Sequence, residues 1–335
     1  MLTLGIETSC DETAAAVLED GVKLRSNVIA SQHDIHSKYG GIVPELAGRS
    51  HVDKIHFIIQ EALEQAAVKL DDIDLIAVTQ GPGLVGSLLV GLNAAKGLAF
   101  ATGKPLIGIN HLEGHLLAIF LQEPVEFPFV GLIVSGGHTD LYRVNGFGDY
   151  HVLGRSRDDA AGESFDKVAK MLGWGYPGGP IVEKRAREGD PNAHNFPRAW
   201  LEKGSLDFSF SGLKTAVRTA IARRGDNGKG LSDADIAAGF QSAVVEVLVA
   251  KALSACEQEG LDRIVLTGGV AANGALRQAL QEASAERGIR CFVPKPILCT
   301  DNAAMIACAG TFRYRNAPPP AGQLLALDAH ANFTV

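Results

Sequence analysis

In the run NHLEGH, residues 110–115, two histidines stand four apart, His111 and His115. If the run is helical, both imidazoles leave one face, within reach of a single ion. The same spacing arises when two histidines merely sit on the rim of a helix packed by Leu112, Leu116 and Leu117. The order is not that of a zinc protease, where glutamate follows the first histidine directly. Here Leu112 follows it, and Glu113 comes next. On a helix Glu113 lies about 200° around from His111, a poor position for a base acting at the same ion. Two imidazoles are usually completed by a carboxylate. Asp301, in CTDN at the start of the expected last helix, is the candidate, although an aspartate there is also an ordinary N-cap. Cys299 is close enough in sequence to count as a soft donor, though a buried thiol is its plainer role.

Three glycine-paired turns adjoin expected strands or loops: VSGGHT (134–139), YPGGP (176–180) and LTGGVAAN (266–273). Glycine pairs let backbone approach a phosphate or adenosine and present N–H groups to it. One such turn means little, but three favour a nucleotide-like ligand. None has the P-loop or dinucleotide pattern. The first turn, in GIETSCDET, places Glu7, Asp11 and Glu12 around Ser9 and Thr13. Those carboxylates could hold a cation, orient a nucleophile or cap the turn. Polar clusters also stand at DDAAGESFDK (158–167) and LDFSFSGLKT (206–215). Asp166 and Lys167 read as solvent-facing charges on a helix. Candidate RNA contacts are His33, His36, Lys38, Arg49, His51, Lys54 and His56, and a second group of Arg218, Arg223, Arg224 and Lys229. A solvated charged face explains either group equally simply.

The elements that must position these residues alternate between strand and helix. Strands are expected at 2–8, 14–19 and about 24–30, a helix at 45–67 and a strand at 75–79. A glycine-rich loop then opens an apolar helix, followed by a strand at 105–110 and a helix at about 111–121. The two prolines of 122–128 suggest a hinge. Beyond it the grammar repeats: strands near 129–134, 139–144 and 150–154, then a helix. Helices at 232–257 and 272–287 alternate with strands at 262–267 and 289–293. A last helix spans 301–315, and the tail after Pro318 reads as irregular. The order predicts two α/β lobes with mixed sheets, an echo suggestive of internal duplication, and a ligand cleft between lobes.

At 335 residues, with 46% hydrophobic and 21% charged content, the chain is an ordinary globular one. Its net charge of −7 argues against a nucleic-acid-binding module working alone. Five scattered cysteines without C-x-x-C spacing fit a reducing compartment. The acidic start MLTLGIETSCDET argues against a signal or transit peptide. No uncharged apolar run reaches the roughly 20 residues of a membrane span. A cytoplasmic protein with no membrane association is expected.

Taken together, GIETSCDET, YGGIVPELAGRSH, GPGLVGSLLVG, NHLEGH, VSGGHT, DDAAGESFDK, YPGGP, LDFSFSGLKT, LTGGVAAN and CTDNAAMIA stand in an order that resembles the tRNA N6-adenosine threonylcarbamoyltransferase family. That family belongs to the actin/sugar-kinase superfamily. The resemblance implies two actin-like (ribonuclease-H-like) lobes: 1–125 joined by a returning C-terminal helix within 301–335, and 126–300. It implies His111, His115 and Asp301 as ligands of one divalent metal, iron(II) ahead of zinc(II). It implies Val134, Ser135, Gly136, Gly137, His138, Asp166, Gly179 and Asn273 as substrate-binding positions, and Asp11 as an acidic catalytic position. The implied reaction moves a threonylcarbamoyl group from threonylcarbamoyl-adenylate to a tRNA adenosine beside the anticodon. The implied partners are tRNA and two accessory proteins, an inactive paralogue and a small ATPase. Rival readings are a metalloprotease, a sugar or carboxylate kinase, and a non-catalytic actin-like assembly or regulatory ATPase. The histidine pair counts against both kinase and assembly.

Overall fold

The computed structural model describes residues 1–223, 231–320 and 326–334. Of the basic positions named above, Arg224 and Lys229 lie outside the described residues. The chain divides into two compact units. The first comprises Met1–Val125, Gly146–Asp149 and Ile297–Val335, and the second Glu126–Asn145 and Tyr150–Pro296.

The first unit is built on strands β1 (Leu2–Glu7), β2 (Glu12–Glu19), β3 (Lys23–Ser31), β4 (Leu75–Gly81) and β5 (Leu106–Asn110). Their order is β3-β2-β1-β4-β5; β1 pairs antiparallel with β2 and parallel with β4. Side chains alternate across a strand. Leu4, Ile6, Ala15 and Val17 therefore enter one apolar layer, while Ala14, Ala16 and Leu18 enter the other. Helices α2 (Pro44–Ala66) and α3 (Val85–Thr102) cover the first face. Helix α11 (Ala303–Asn316) covers the second, and short α4 (His111–Leu117) joins it there. A single helical turn, α1 (His33–His36), follows β3.

Helix α11 lies unusually close to the sheet because small residues meet there. A Cβ on Gly5 would stand 2.2 Å from the Ala303 carbonyl oxygen, and one on Gly310 would stand 2.4 Å from Ala77 Cβ. The expected last helix begins two residues later than the sequence suggests. Asn302 is its N-cap, its side chain accepting from the Met305 N–H at 3.0 Å. Asp301 is thereby released from capping. The chain end is irregular, as expected, but tied down. The His330 N–H donates to the Gln80 carbonyl at 2.9 Å, and Asn110 Nδ2 donates to the Phe333 carbonyl at 2.9 Å.

The second unit holds β6 (Phe129–Val134), β7 (Thr139–Gly146), β8 (Asp149–Arg155), β9 (Arg263–Thr267) and β10 (Arg290–Phe292), in the order β10-β9-β6-β7-β8. Read from the other edge, this is the order of the first sheet, strand for strand. The repeated grammar of the sequence is thus a repeated topology. The helices are α5 (Ala161–Met171), α6 (Gly178–Ala186), α7 (Ser211–Ala222), α8 (Asp233–Glu259) and α9 (Gly274–Ala285); one-turn α10 (Pro296–Cys299) follows, all but its first residue belonging to the first unit. Helices α6 and α7 add to those expected from sequence. On α8, buried Lys251 donates to the carbonyls of Trp200, Ser205 and Asp207, pinning the irregular segment before α7. Two helices, α3 and α8, are long and apolar enough to cross a membrane by length and composition alone, and most of α8 is buried within the fold.

Replacing Gly5 by alanine should overpack the β1–α11 contact, at a cost of about 1–3 kcal/mol. The expected outcome is a melting temperature lowered by several degrees in calorimetry. An unchanged transition would mean that α11 does not depend on this contact.

Candidate metal centre

Strand β5 ends at Asn110, whose side chain caps α4 by accepting from the Leu112 N–H at 2.8 Å. His111 and His115 therefore lie within one short, fully buried helix. Their rings meet edge to face, with centroids 4.7 Å apart. Asp301, just before α11, completes the group. Its Oδ1 stands 3.5 Å from His111 Nε2 and 3.2 Å from His115 Nε2. The donor atoms of these three residues all lie within 4.8 Å of one another.

The far side of His111 is also built. Its Nδ1 lies 3.0 Å from Glu7 Oε2 and 3.2 Å from Ser9 Oγ. Glu7 is fully buried at the end of β1, and it accepts from Thr79 Oγ1 at 2.6 Å and from the Ser9 N–H. A carboxylate behind a histidine fixes its tautomer and raises its basicity as a ligand. Sequence reading placed Glu7 at a polar turn without joining it to His111; only the fold brings residues 7 and 111 together.

The electrostatics suit a cation. Burial pushes the His111 imidazole down, but the carboxylates of Asp301 and Glu7 outweigh it and hold it well above its ordinary value. Burial raises the Asp301 carboxyl, yet His111 and His115 drive it well below the usual range. Burial also raises Glu7, and His111 overcomes this to leave it lowered. His115 is lowered, chiefly by burial, which favours the neutral imidazole that metals bind. Ligands held at about 2.1 Å by one ion lie roughly 3.0–4.2 Å apart as their angle opens from 90° to 180°. The two separations to Asp301 fall in that range, so the three residues form a possible metal site.

Glu113 takes no part. It is 2% exposed and pairs with Arg313 at 2.9 Å. This removes the base a metalloprotease would need. Cys299, fully buried, stands outside the donor set.

Asp11 is not brought to the histidine pair. It lies with Glu12 and His33 in a separate group. Burial and the charge of Asp11 raise the Glu12 carboxyl well above its ordinary value. The remaining candidates lie in the second unit. The turn after β6 is closed by the Ser135 N–H donating to the His138 carbonyl at 2.8 Å, and by the His138 N–H donating to Ser135 Oγ at 3.1 Å. Val134 backs onto Gly268, where a Cβ would stand 2.4 Å from the Val134 carbonyl oxygen. At Gly136, Gly137 and Gly179 a Cβ would meet nothing within 4 Å. Asp166 sits within α5 rather than at a helix start, and its Oδ1 accepts from the Gly178 N–H at 2.7 Å. It thus holds a glycine turn in place and is not merely a solvent-facing charge. Asn273 caps α9 and donates to Gln241 Oε1 at 2.8 Å.

The basic segment 33–56 is reduced as an RNA surface. His36 and His51 are buried, and His51 is bonded to Thr13 Oγ1 at 2.8 Å and to the Cys10 carbonyl at 2.9 Å. Arg49 pairs with Glu45. Lys38, His33, His56, Arg218 and Arg223 stay exposed.

A family profile for tRNA N6-adenosine threonylcarbamoyltransferase matches residues 23–308. The chain belongs to this family. The tRNA N6-adenosine threonylcarbamoyltransferase of Symbiobacterium thermophilum is 58% identical over 318 residues, covering 94% of this chain and 92% of that protein. That of Geobacter sp. (strain M21) is 54% identical over 312 residues, covering 93% and 91%. Solved structures share the fold. The activator of the 2-hydroxyisocaproyl-CoA dehydratase from Clostridium difficile with bound ADPNP aligns with a TM-score of 0.55 at 14% identity, covering 95% of this chain and 97% of that one. T. kodakarensis HypF aligns with a TM-score of 0.66 at 15% identity, covering 94% and 48%. The fold of this threonylcarbamoyltransferase family member is accordingly of the actin-like, sugar-kinase type. It is a transferase.

Replacing Glu7 by glutamine should weaken metal binding roughly 10–100-fold. Replacing Glu113 by glutamine should leave metal affinity unchanged while lowering thermal stability. Competition dialysis against a chelator reads the first effect and calorimetry the second. Equal affinities for Glu7→Gln and wild type would remove Glu7 from the centre.

Proposed function

We propose that the protein transfers the threonylcarbamoyl group of threonylcarbamoyl-adenylate to N6 of the adenosine next to the anticodon, in tRNAs that read A-starting codons. The observation that carries this reading is the convergence of two Nε2 atoms on Asp301 Oδ1 in a chain of this family. The exocyclic amine attacks the carbamoyl carbon. A C–N bond forms, the C–O bond to the phosphate breaks, AMP leaves, and the amine proton passes to solvent.

His111, His115 and Asp301 would hold the divalent ion, which would supply Lewis acidity toward the threonylcarbamoyl group. Two imidazoles and one carboxylate are the donor set of non-haem iron(II), and they suit zinc(II) too; iron(II) is our first choice. The turn Val134 to His138 faces the adenylate, its Ser135 and His138 N–H groups bonded within the turn, and the open Gly136 and Gly137 let the adenylate approach the backbone. Asp166 acts by bracing the turn at Gly178 and Gly179, and Asn273 by fixing the loop that opens α9. Asp11 contributes negative charge at the turn after β1. An adenine amine is a weak nucleophile, so orientation against the activated acyl group carries much of the rate. A tRNA substrate supports a cytoplasmic location for the enzyme. The acidic chain, at −7, leaves part of the tRNA contact to accessory proteins, an inactive paralogue and a small ATPase.

The test incubates the protein, with those accessory proteins, with threonylcarbamoyl-adenylate and unmodified tRNA. Mass spectrometry of the digested nucleosides then detects threonylcarbamoyl-adenosine. His111→Ala should lower its formation by at least 100-fold while circular dichroism stays that of wild type. Full activity of a metal-free His111→Ala protein would overturn the assignment of the centre. No product from the metal-loaded wild type would overturn the reaction.

A further inference from the structure

We infer that Asp11, Glu12 and His33 form a second divalent-cation site, sharing no residue with the centre at His111, His115 and Asp301. It would take an ion of the manganese(II) class, at home with two carboxylates and one imidazole. The inference stands on side-chain geometry and holds whether or not the transfer reaction does.

The backbone builds the group. Strand β2 begins where β3 ends, with Glu12 opposite Ser31 in the antiparallel register. The Gln32 N–H donates to the Asp11 carbonyl at 3.0 Å, and the chain turns at once into α1, which His33 opens. Gln32 is buried, and its Oε1 lies 3.2 Å from His36 Nε2. His33 is therefore carried by an anchored turn, although its own side chain is 46% exposed.

The donor atoms of the three residues lie within 4.8 Å of one another. His33 Nε2 is 3.8 Å from Asp11 Oδ2 and 3.5 Å from Glu12 Oε1. Both are longer than an ordinary N–H···O hydrogen bond of about 2.7–3.2 Å. Both fit ligands at about 2.1 Å from a common ion, which lie roughly 3.0–4.2 Å apart. The same separations mark the first centre, at 3.5 and 3.2 Å.

A second observation points to a ligand here. The Asp11 side chain is only 9% exposed, and its Oδ2, the atom facing His33, has no hydrogen-bond partner among the described residues. A buried carboxylate oxygen without a hydrogen-bond donor is costly. Glu12, next in the chain, is a second carboxylate, whose ionisation burial and the charge of Asp11 oppose. The Ser31 hydroxyl reaches Glu12 only at 3.4 Å. A divalent ion would let both carboxylates ionise and would fill the position beside Asp11 Oδ2. An ion here would also give the charge of Asp11 a use apart from proton transfer.

The test counts manganese(II) bound to metal-stripped full-length protein, reading free ion by electron paramagnetic resonance. Four proteins are compared: wild type, His33→Ala, the double variant His111→Ala/His115→Ala, and the triple variant combining all three changes. Two equivalents are expected on wild type and one on the double variant. That remaining equivalent should weaken at least tenfold in the triple variant. His33 is exposed, so its removal should not disturb the fold, and circular dichroism checks this. Glu12→Gln in the double-variant background gives an independent second removal. A double variant that binds no manganese(II), or one whose binding survives both His33→Ala and Glu12→Gln unchanged, would overturn the inference.

Discussion

Helix α11 can rest directly on β1 only because glycine and alanine meet there, and the first unit depends on that contact. Gly5 faces the Ala303 carbonyl, and Gly310 faces Ala77. Two chain segments almost 300 residues apart are thereby held at van der Waals distance. Burial of Ala303 through Ala309 makes α11 part of the core and not a surface helix. With its axis fixed, the residue just before its cap is fixed as well. Asn302 takes the cap, and Asp301 is left to face the histidines. A larger residue at position 5 would act on the carboxylate of the metal centre through the backbone, without touching it.

The centre is layered in the same way. Asp301 and the two histidines offer donors to an ion. Glu7 stands behind His111, and Thr79 together with the Ser9 N–H stands behind Glu7. Burying this much charge is unfavourable unless each member has a partner. The opposed shifts of His111 and Asp301 show each partner holding the other in its charged form. A cation entering the group would take the place of the proton on His111 and leave the surrounding hydrogen bonds intact. Glu113 is excluded from this network by its pairing with Arg313, in keeping with its helical offset from His111.

The sequence made local features legible and long-range ones only partly so. The strands show in runs such as LTLGIE and FVGLIV because both faces of each sheet are covered, giving continuous apolar segments. The histidine pair shows because four-residue spacing is a local property of a helix. Glu7 could not be joined to His111 from spacing, since the parallel pairing of β1 with β4 and of β4 with β5 creates that neighbourhood. His36 and His51 read as part of a basic surface, because nothing local tells a buried, hydrogen-bonded histidine from an exposed one. Asp166 reads as a surface charge for a similar reason: its partner, the Gly178 N–H, is twelve residues on, across a turn. The anchoring of the tail through His330 and Phe333 is likewise a tertiary fact with no local signature.

The two sheets have one topology, yet corresponding turns have acquired opposite chemistry. After β1 the chain carries Ser9, Asp11 and Glu12, side chains that offer oxygen to a cation. After β6 it carries Ser135, Gly136, Gly137 and His138, where open glycines offer backbone N–H groups to an anion. The turn after β4 is packed shut: Gly81 lies under the His330 carbonyl and Gly83 under Ser9. The turn after β9 is packed at Gly268 but open at Gly269, and leads to the cap of α9. The shared strand order gives two copies of one strand-turn-strand frame, and the frame does not depend on which residues occupy its turns. Side-chain substitution at those turns then changes their chemistry with no change in strand order.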